Sequence, residues 1–256
     1  MLILLSPSKT QETGQGHRAS TLPQFLGKTE KLVAELRRLD SAEIGRLMGI
    51  SEKLAQTTSL RYRRFRFPPE NRDCSPALLA FRGDVFKEMD VDDYSDRDFD
   101  FAQRHLRILS GLYGLLRPLD LIQPHRLEMG GGFRTAEGRS LYQYWREDIS
   151  SSLKASLAEA NHLELLNLAS AEYFKAVDQT VLECKIVQVF FKQRKNDRLK
   201  TIAIHAKKAR GALCEYIIRN RIENSSALGD FSYRGYCFNE ELSSDGERFY
   251  IRDEEL

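Results

Sequence analysis

Short continuous runs of apolar residues recur along the chain, and such runs predict buried strands. Four of them are Leu2–Leu5, Ala77–Phe81, Leu106–Leu109 and Leu163–Leu168. Further along, Lys185–Phe191 and Lys200–Ala206 alternate apolar with polar residues around the polar turn 193–197, which indicates a β-hairpin. Distant segments are therefore predicted to contribute to one sheet.

Between these runs, apolar residues recur at helical spacing. The spacing predicts helices over Gly27–Leu39, over Tyr94–His105 with Ser95 as its cap, over Leu141–Glu159 and over Lys207–Ile222. Strands and helices alternate along the whole chain. This predicts an α/β fold, with a mixed sheet surrounded by helices, in a single compact domain that spans residues 1–256.

The segment 27–69 is predicted to be a helical subregion. The sequence Asp40-Ser-Ala-Glu43 is a capping-box pattern, and the helix it opens runs to Met48 and ends at Gly49. Ser51 has the position of an N-cap for a further helix that extends to about Phe65.

The composition excludes several classes of protein. No run reaches the roughly 18 apolar residues of a membrane span, and the apolar N-terminus is too short for a signal peptide. A cytoplasmic protein without a membrane partner is expected. The four cysteines and five histidines have no metal-ligand spacing, so no metal or cofactor is predicted.

Charge is distributed unevenly, although the formal net charge is only +2. Residues 46–72 hold seven basic and two acidic groups, residues 192–221 hold ten and two, and residues 84–100 hold eight acidic and two basic groups. Such segregation polarises the surface and favours an anionic partner for the basic segments.

Residues 43–57 resemble the helix-hairpin-helix motif of DNA-binding proteins, with a tight turn at Gly49-Ile50-Ser51. The amide groups at the start of the second helix would face a phosphate. An ordinary helical turn explains the pattern about equally well, but an arginine-rich stretch with interleaved aromatic residues follows it at 61–67. The candidate DNA-binding residues are Arg46, Gly49, Ser51, Lys53, Arg61, Arg63, Arg64 and Arg66.

The stretch 110–130 is rich in turn-forming glycine and proline and carries several charges among leucines, so it is predicted to be an irregular loop that lines a site or caps the core. Other charged residues also follow apolar runs, and strand ends gather at one edge of an open sheet. A basic cleft is expected from Lys9, Arg117, Arg126, Lys207, Lys208 and Arg210, together with the carboxylates of Asp120, Glu128 and Glu172. A buried ion-pair network is the alternative interpretation.

Seven ordered blocks of sequence resemble the YaaA peroxide-stress protein family. They are Ser6-Pro-Ser-Lys-Thr10, Phe81-Arg-Gly-Asp-Val85, Ser110-Gly-Leu-Tyr-Gly114, Arg117-Pro-Leu-Asp120, Arg126-Leu-Glu-Met129, Asn167-Leu-Ala-Ser-Ala-Glu-Tyr173 and Lys207-Lys-Ala-Arg-Gly211. The resemblance implies a bacterial protein that limits damage by hydrogen peroxide and unincorporated iron. It also implies an α/β fold with a helix-hairpin-helix and a basic cleft that binds double-stranded DNA. His125 departs from the tyrosine expected at its position.

Three hypotheses follow. The first is a monomeric protein of the peroxide response that binds double-stranded DNA. The second is an enzyme that acts on a small anionic or nucleic-acid substrate in the same cleft. The third is an iron-handling or partner-binding protein without catalysis. Candidate catalytic residues for the second are Lys9, Asp120, Glu128, Glu172 and Lys207.

Overall fold

A sheet of nine strands organises the protein, for which a computed structural model describes residues 1–14, 21–69, 73–196 and 198–253. In this sheet the order is β4-β3-β1-β6-β7-β11-β10-β9, and β8 pairs with β7; β2 and β5 form a separate pair. The strands are β1 (Leu2–Leu5), β2 (Ser75–Pro76), β3 (Leu106–Ser110), β4 (Gly114–Leu116), β5 (Leu121–Ile122), β6 (Glu164–Asn167), β7 (Lys185–Lys195), β8 (Arg198–Lys200), β9 (Ser232–Tyr233), β10 (Tyr236–Phe238) and β11 (Glu247–Asp253).

Helices cover the sheet and complete the mixed α/β fold that the sequence predicts. None in the described part of the chain is long and apolar enough to cross a membrane. The helices are α1 (Leu26–Leu36), α2 (Ser41–Met48), α3 (Glu52–Arg64), α4 (Ala77–Ala80), α5 (Asp96–His105), α6 (Leu141–Glu159), α7 (Ala171–Phe174) and α8 (Ala203–Asn220).

The centre of the sheet is parallel. Strand β1 pairs in parallel with β3 on one side and β6 on the other, and β7 and β11 continue the parallel order. All four residues of β1 are fully buried. This burial explains its uninterrupted apolar sequence, because a central parallel strand is covered on both faces. The carboxyl ends of β1, β3 and β6 consequently lie at the same edge.

Three local expectations need correction. Ala77–Phe81, predicted as a strand, forms the short helix α4 after Pro76, because a short apolar run does not by itself distinguish helix from strand. The hairpin of β7 and β8 is confirmed, but its second strand ends at Lys200, and helix α8 already begins at Ala203. Residue 197 of its turn lies outside the described residues.

The stretch 110–130 is also more regular than expected, since it contains β4 and β5. Gly114 adopts a φ of 73°, which lets the chain turn back sharply after β3. A Cβ atom at this position would contact the ring of Trp145, at 2.7 Å from Cε3. Strand β4 therefore runs antiparallel to β3 and returns towards the opposite edge of the sheet.

Helices α2 and α3 are adjacent helices joined by the short turn 49–51, and together they are called the hairpin below. At the N-terminus of α2, the Asp40 carboxylate accepts a hydrogen bond from the Glu43 N–H at 2.7 Å, and the Glu43 carboxylate accepts one from the Asp40 N–H at 2.8 Å. Gly49 ends α2 with a φ of 61° in the left-handed region. Ser51 has the extended backbone of an N-cap, but its side chain makes no capping hydrogen bond to α3.

The two N-caps of the hairpin differ in a way that stability measurements can detect. We expect Asp40→Ala to lower the free energy of unfolding by about 1 kcal/mol, because the bond from the Glu43 N–H to the Asp40 carboxylate is lost. Ser51→Ala is the matched control and should cost clearly less. Urea denaturation followed by circular dichroism checks this, and equal losses for the two variants would contradict the described capping.

Candidate functional site

Two cavities lie at opposite edges of the parallel sheet. The cavity at the carboxyl edge, called the cleft below, has a volume of about 410 Å³ and lies beside Ser6, Ser110 and Ser170, which are at or just beyond the ends of β1, β3 and β6. The cavity at the amino edge is larger, about 1170 Å³, and is lined by residues such as Met1 and His162.

The cleft brings together charged residues from three distant segments. Lys9 lies in the loop after β1, and its Nζ lies 2.8 Å from Oε2 of Glu128. The other carboxylate oxygen of Glu128 accepts a hydrogen bond from Nη2 of Arg126 at 3.2 Å. Glu128 is thus held between two cations, and its carboxylate neutralises part of their positive charge.

Helix α7 contributes a second carboxylate and a phenol. Oε1 of Glu172 accepts the backbone N–H of Gly130 at 3.0 Å, which ties α7 to the loop after β5. Tyr173 is almost buried, and its phenol oxygen makes a hydrogen bond with the Met129 backbone. Burial raises the pKa of Tyr173, so the phenol is neutral at physiological pH.

Helix α8 supplies Lys207 and Arg210, which are three residues apart and line the cleft together. The next residue, Gly211, allows the helix to pack directly on the backbone of Val85, because a Cβ atom there would overlap the Val85 carbonyl. This close packing fixes the distance between Arg210 and the cleft wall formed by Gly83–Val85.

Three predicted cleft residues lie elsewhere. Arg117 and Asp120 line the amino-edge cavity, because the reversed direction of β4 delivers them to that edge. Asp120 is fully buried, bonds to the Arg117 guanidinium at 2.9 Å and accepts the Thr21 hydroxyl at 2.6 Å. These two therefore form an ion pair between a buried carboxylate and a half-exposed guanidinium, which agrees only in part with the alternative interpretation of a buried ion-pair network. Lys208 does not line the cleft, and its Nζ lies 4.0 Å from Oε1 of Glu88.

Sequence reasoning missed Arg82, Asp84 and Lys87, which also line the cleft. Arg82 forms ion pairs with Glu12 at 3.2 Å and Asp92 at 3.1 Å. A signal was present in the Phe81-Arg-Gly-Asp-Val85 block, where a glycine lies between two opposite charges. A Cβ atom on Gly83 would overlap the Ser8 side chain, so this segment touches the loop after β1.

His125 lies in the wall of the cleft but is itself only 3% exposed. Its Nδ1 lies 2.8 Å from the Gln123 carbonyl, and its backbone N–H donates to Oε1 of Gln11 at 2.9 Å. Burial lowers the pKa of His125 to about 4, so the ring is uncharged at neutral pH. Its contacts are those of a residue that supports the cleft wall.

The arginine-rich end of α3 is attached to this same wall. Tyr62 is fully buried and donates its hydroxyl to the Arg126 carbonyl. The Arg66 N–H donates to Oε1 of Gln123 at 2.9 Å, and Nε2 of Gln123 returns a bond to the Arg66 carbonyl at 2.8 Å. The helical hairpin and the cleft therefore belong to one connected surface.

The other candidate DNA-binding residues differ in exposure. Arg61 is half-buried, whereas Arg46, Gly49, Ser51, Lys53, Arg63 and Arg64 are exposed. Within residues 21–69 and 73–196, no carboxylate forms an ion pair with Arg63 or Arg64; Arg66 lies 3.9 Å from Asp73. The described residues also contain no group of three or more His, Cys, Asp or Glu side chains placed to hold a metal ion.

Comparison with known proteins agrees with the sequence blocks around the cleft. The model of the family described as peroxide stress protein YaaA matches residues 1–242. The chain belongs to this family. It is also 46% identical over 254 residues to the UPF0246 protein AM1_4276 of Acaryochloris marina (strain MBIC 11017), an alignment that covers 99% of this chain and 100% of that relative. The predicted resemblance to the YaaA family is confirmed.

The packing of α8 against Val85 predicts an asymmetric response to two glycine substitutions. Gly211→Ala should lower the free energy of unfolding by about 1–3 kcal/mol, because the added methyl group displaces α8 from the Val85 backbone. Gly27→Ala in α1, where a Cβ atom meets open space, should instead be neutral or stabilising by up to about 1 kcal/mol. Thermal and urea denaturation of both variants check this. A stabilised Gly211→Ala protein would contradict the close approach.

Proposed function

We propose that this protein binds double-stranded DNA in the cellular response to hydrogen peroxide, using the α2–α3 hairpin and the cations at the rim of the cleft. The observation that carries the proposal is the pair Arg63 and Arg64. Both are exposed and lack ion pairs with described carboxylates, although they belong to a helix end that is firmly attached to the cleft wall. Such fixed, unneutralised cations suit the DNA backbone.

The turn of the hairpin supports the same proposal. The Ser51 side chain leaves the first amide groups of α3 uncapped, whereas the start of α2 is closed by its capping box. Uncapped amides at a helix start favour an anion, and Lys53 lies in the first turn of α3. Contacts of these types go to phosphates, so the expected binding is largely independent of base sequence.

Family membership supports the peroxide part of the proposal. The resemblance noted in the sequence extends it to a role in limiting damage by unincorporated iron. This part of the proposal rests on the resemblance to the family.

The proposal predicts duplex binding that weakens with salt. In fluorescence-anisotropy titrations, the logarithm of the binding constant should fall linearly with the logarithm of salt concentration, by about 0.9 per neutralised phosphate. The double variant Lys53→Glu/Arg64→Glu should bind at least about tenfold more weakly at low salt, with a shallower slope, because two phosphate contacts become repulsive.

Arg97→Glu is the matched control, since Arg97 is an exposed arginine on helix α5, away from the hairpin. It should leave affinity and salt slope close to those of the unsubstituted protein. Duplex binding that is absent at low salt, or that loses equal affinity in the control and the hairpin variant, would overturn the proposed role of the hairpin.

A further inference from the structure

The cations of the cleft are not neutralised equally. Lys9, Arg82 and Arg126 each lie within 3.2 Å of a carboxylate oxygen. Arg210 has no ion pair or hydrogen bond with any described residue, and its Nε is buried without a partner. Burial lowers the pKa of the Arg210 guanidinium, and no neighbouring carboxylate opposes this effect.

A partly buried guanidinium whose Nε has no partner costs stability, because this part of the charged group loses water and gains no counter-charge. Proteins retain such groups where a ligand supplies the missing anion. Lys207 lies one helical turn earlier on the same wall, is exposed and has no ion pair within the described ranges. A planar guanidinium beside a lysine ammonium suits a phosphate, which accepts several hydrogen bonds at once.

Carboxylates line the cleft together with these cations. Asp84, Glu128 and Glu172 line the same cavity as Arg210. Carboxylates accept hydrogen bonds, so these three side chains suit the hydroxyl groups of a sugar or the N–H groups of a base. A volume of about 410 Å³ is within the range of about 300–1,000 Å³ for small-molecule pockets. A double helix does not fit such a volume, whereas one nucleotide does.

From these features we propose that the cleft binds a single nucleotide unit, with its phosphate on Arg210 and Lys207 and its sugar or base towards Glu128 and Glu172. The nucleotide could be free in solution or belong to a DNA strand held by the hairpin. The second case rests on the proposed function, and the first does not.

Thermal-shift and calorimetric titrations with a deoxynucleoside 5′-monophosphate, its nucleoside and inorganic phosphate test the proposal. The monophosphate should raise the melting temperature, and the nucleoside should bind at least about tenfold more weakly. Arg210→Gln should weaken binding of the monophosphate about 10- to 100-fold, because charged hydrogen bonds are lost. Arg64→Glu, outside the cleft, should bind the monophosphate normally even where it loses duplex, so the two proposals can fail separately.

Arg210→Met keeps the test decisive if Arg210→Gln folds poorly. If Arg210 is held for a ligand, the apolar variant should melt at an equal or higher temperature than the unsubstituted protein without ligand, and its melting temperature should no longer respond to the monophosphate. A lower melting temperature without ligand would show a structural arginine and overturn the inference.

A 5′-phosphorylated single strand, its unphosphorylated form and the free monophosphate distinguish the two sources. Stronger binding of a strand than of the monophosphate, with both abolished by Arg210→Gln, assigns the site to DNA. Equal or stronger binding of the monophosphate assigns it to a free nucleotide. Failure of all three ligands to bind at millimolar concentration, or binding unaffected by Arg210→Gln, would overturn the proposal.

Discussion

The parallel pairing of β1 between β3 and β6 is the constraint on which the rest of the structure depends. Because the three strands run in one direction, the loops that follow them open at a common edge, and residues separated by more than 150 positions become neighbours. All four side chains of β1 are fully buried, so their close packing with the surrounding core holds the strand in this register. This pairing determines the position of the cleft.

Close backbone contacts then determine how narrow the cleft is. Gly83 meets the Ser8 side chain, Gly111 meets the Leu127 carbonyl and Gly211 meets that of Val85, and none of these positions has room for a Cβ atom. The contacts at Gly83 and Gly211 join segments that carry charged residues of the cleft. In both cases the absence of a side chain lets the two segments approach closely, and a charged residue stands directly beside the glycine.

Sequence patterns were sufficient for the elements whose signals are local. Helix α6 has the predicted bounds Leu141–Glu159, and the capping box at Asp40 is formed as expected. The convergence of Lys9, Glu128, Glu172, Lys207, Arg126 and Arg210 on one cavity also agrees with the expectation of strand ends at a common edge. Arg117 and Asp120 were misplaced because the direction of β4 depends on the turn at Gly114, and nothing in the charge pattern indicates that reversal. Lys208 was misplaced because successive residues of a helix lie about 100° apart around its axis, so Lys208 does not share a face with both Lys207 and Arg210.

The mixture of cations and carboxylates in the cleft distinguishes it from a surface that only binds the DNA backbone. A surface that only attracts DNA needs cations, and carboxylates there would weaken every phosphate contact. Glu128 and Glu172 are nevertheless held in place, one by Lys9 and Arg126 and the other by the Gly130 amide. Carboxylates fixed in this way orient a ligand, because they repel its phosphate and accept hydrogen bonds from its N–H or O–H groups. The exposed arginines of the hairpin suit a DNA backbone, whereas the cleft combines cations with fixed carboxylates. The proposed strand at the hairpin and the proposed nucleotide in the cleft are therefore compatible within one protein.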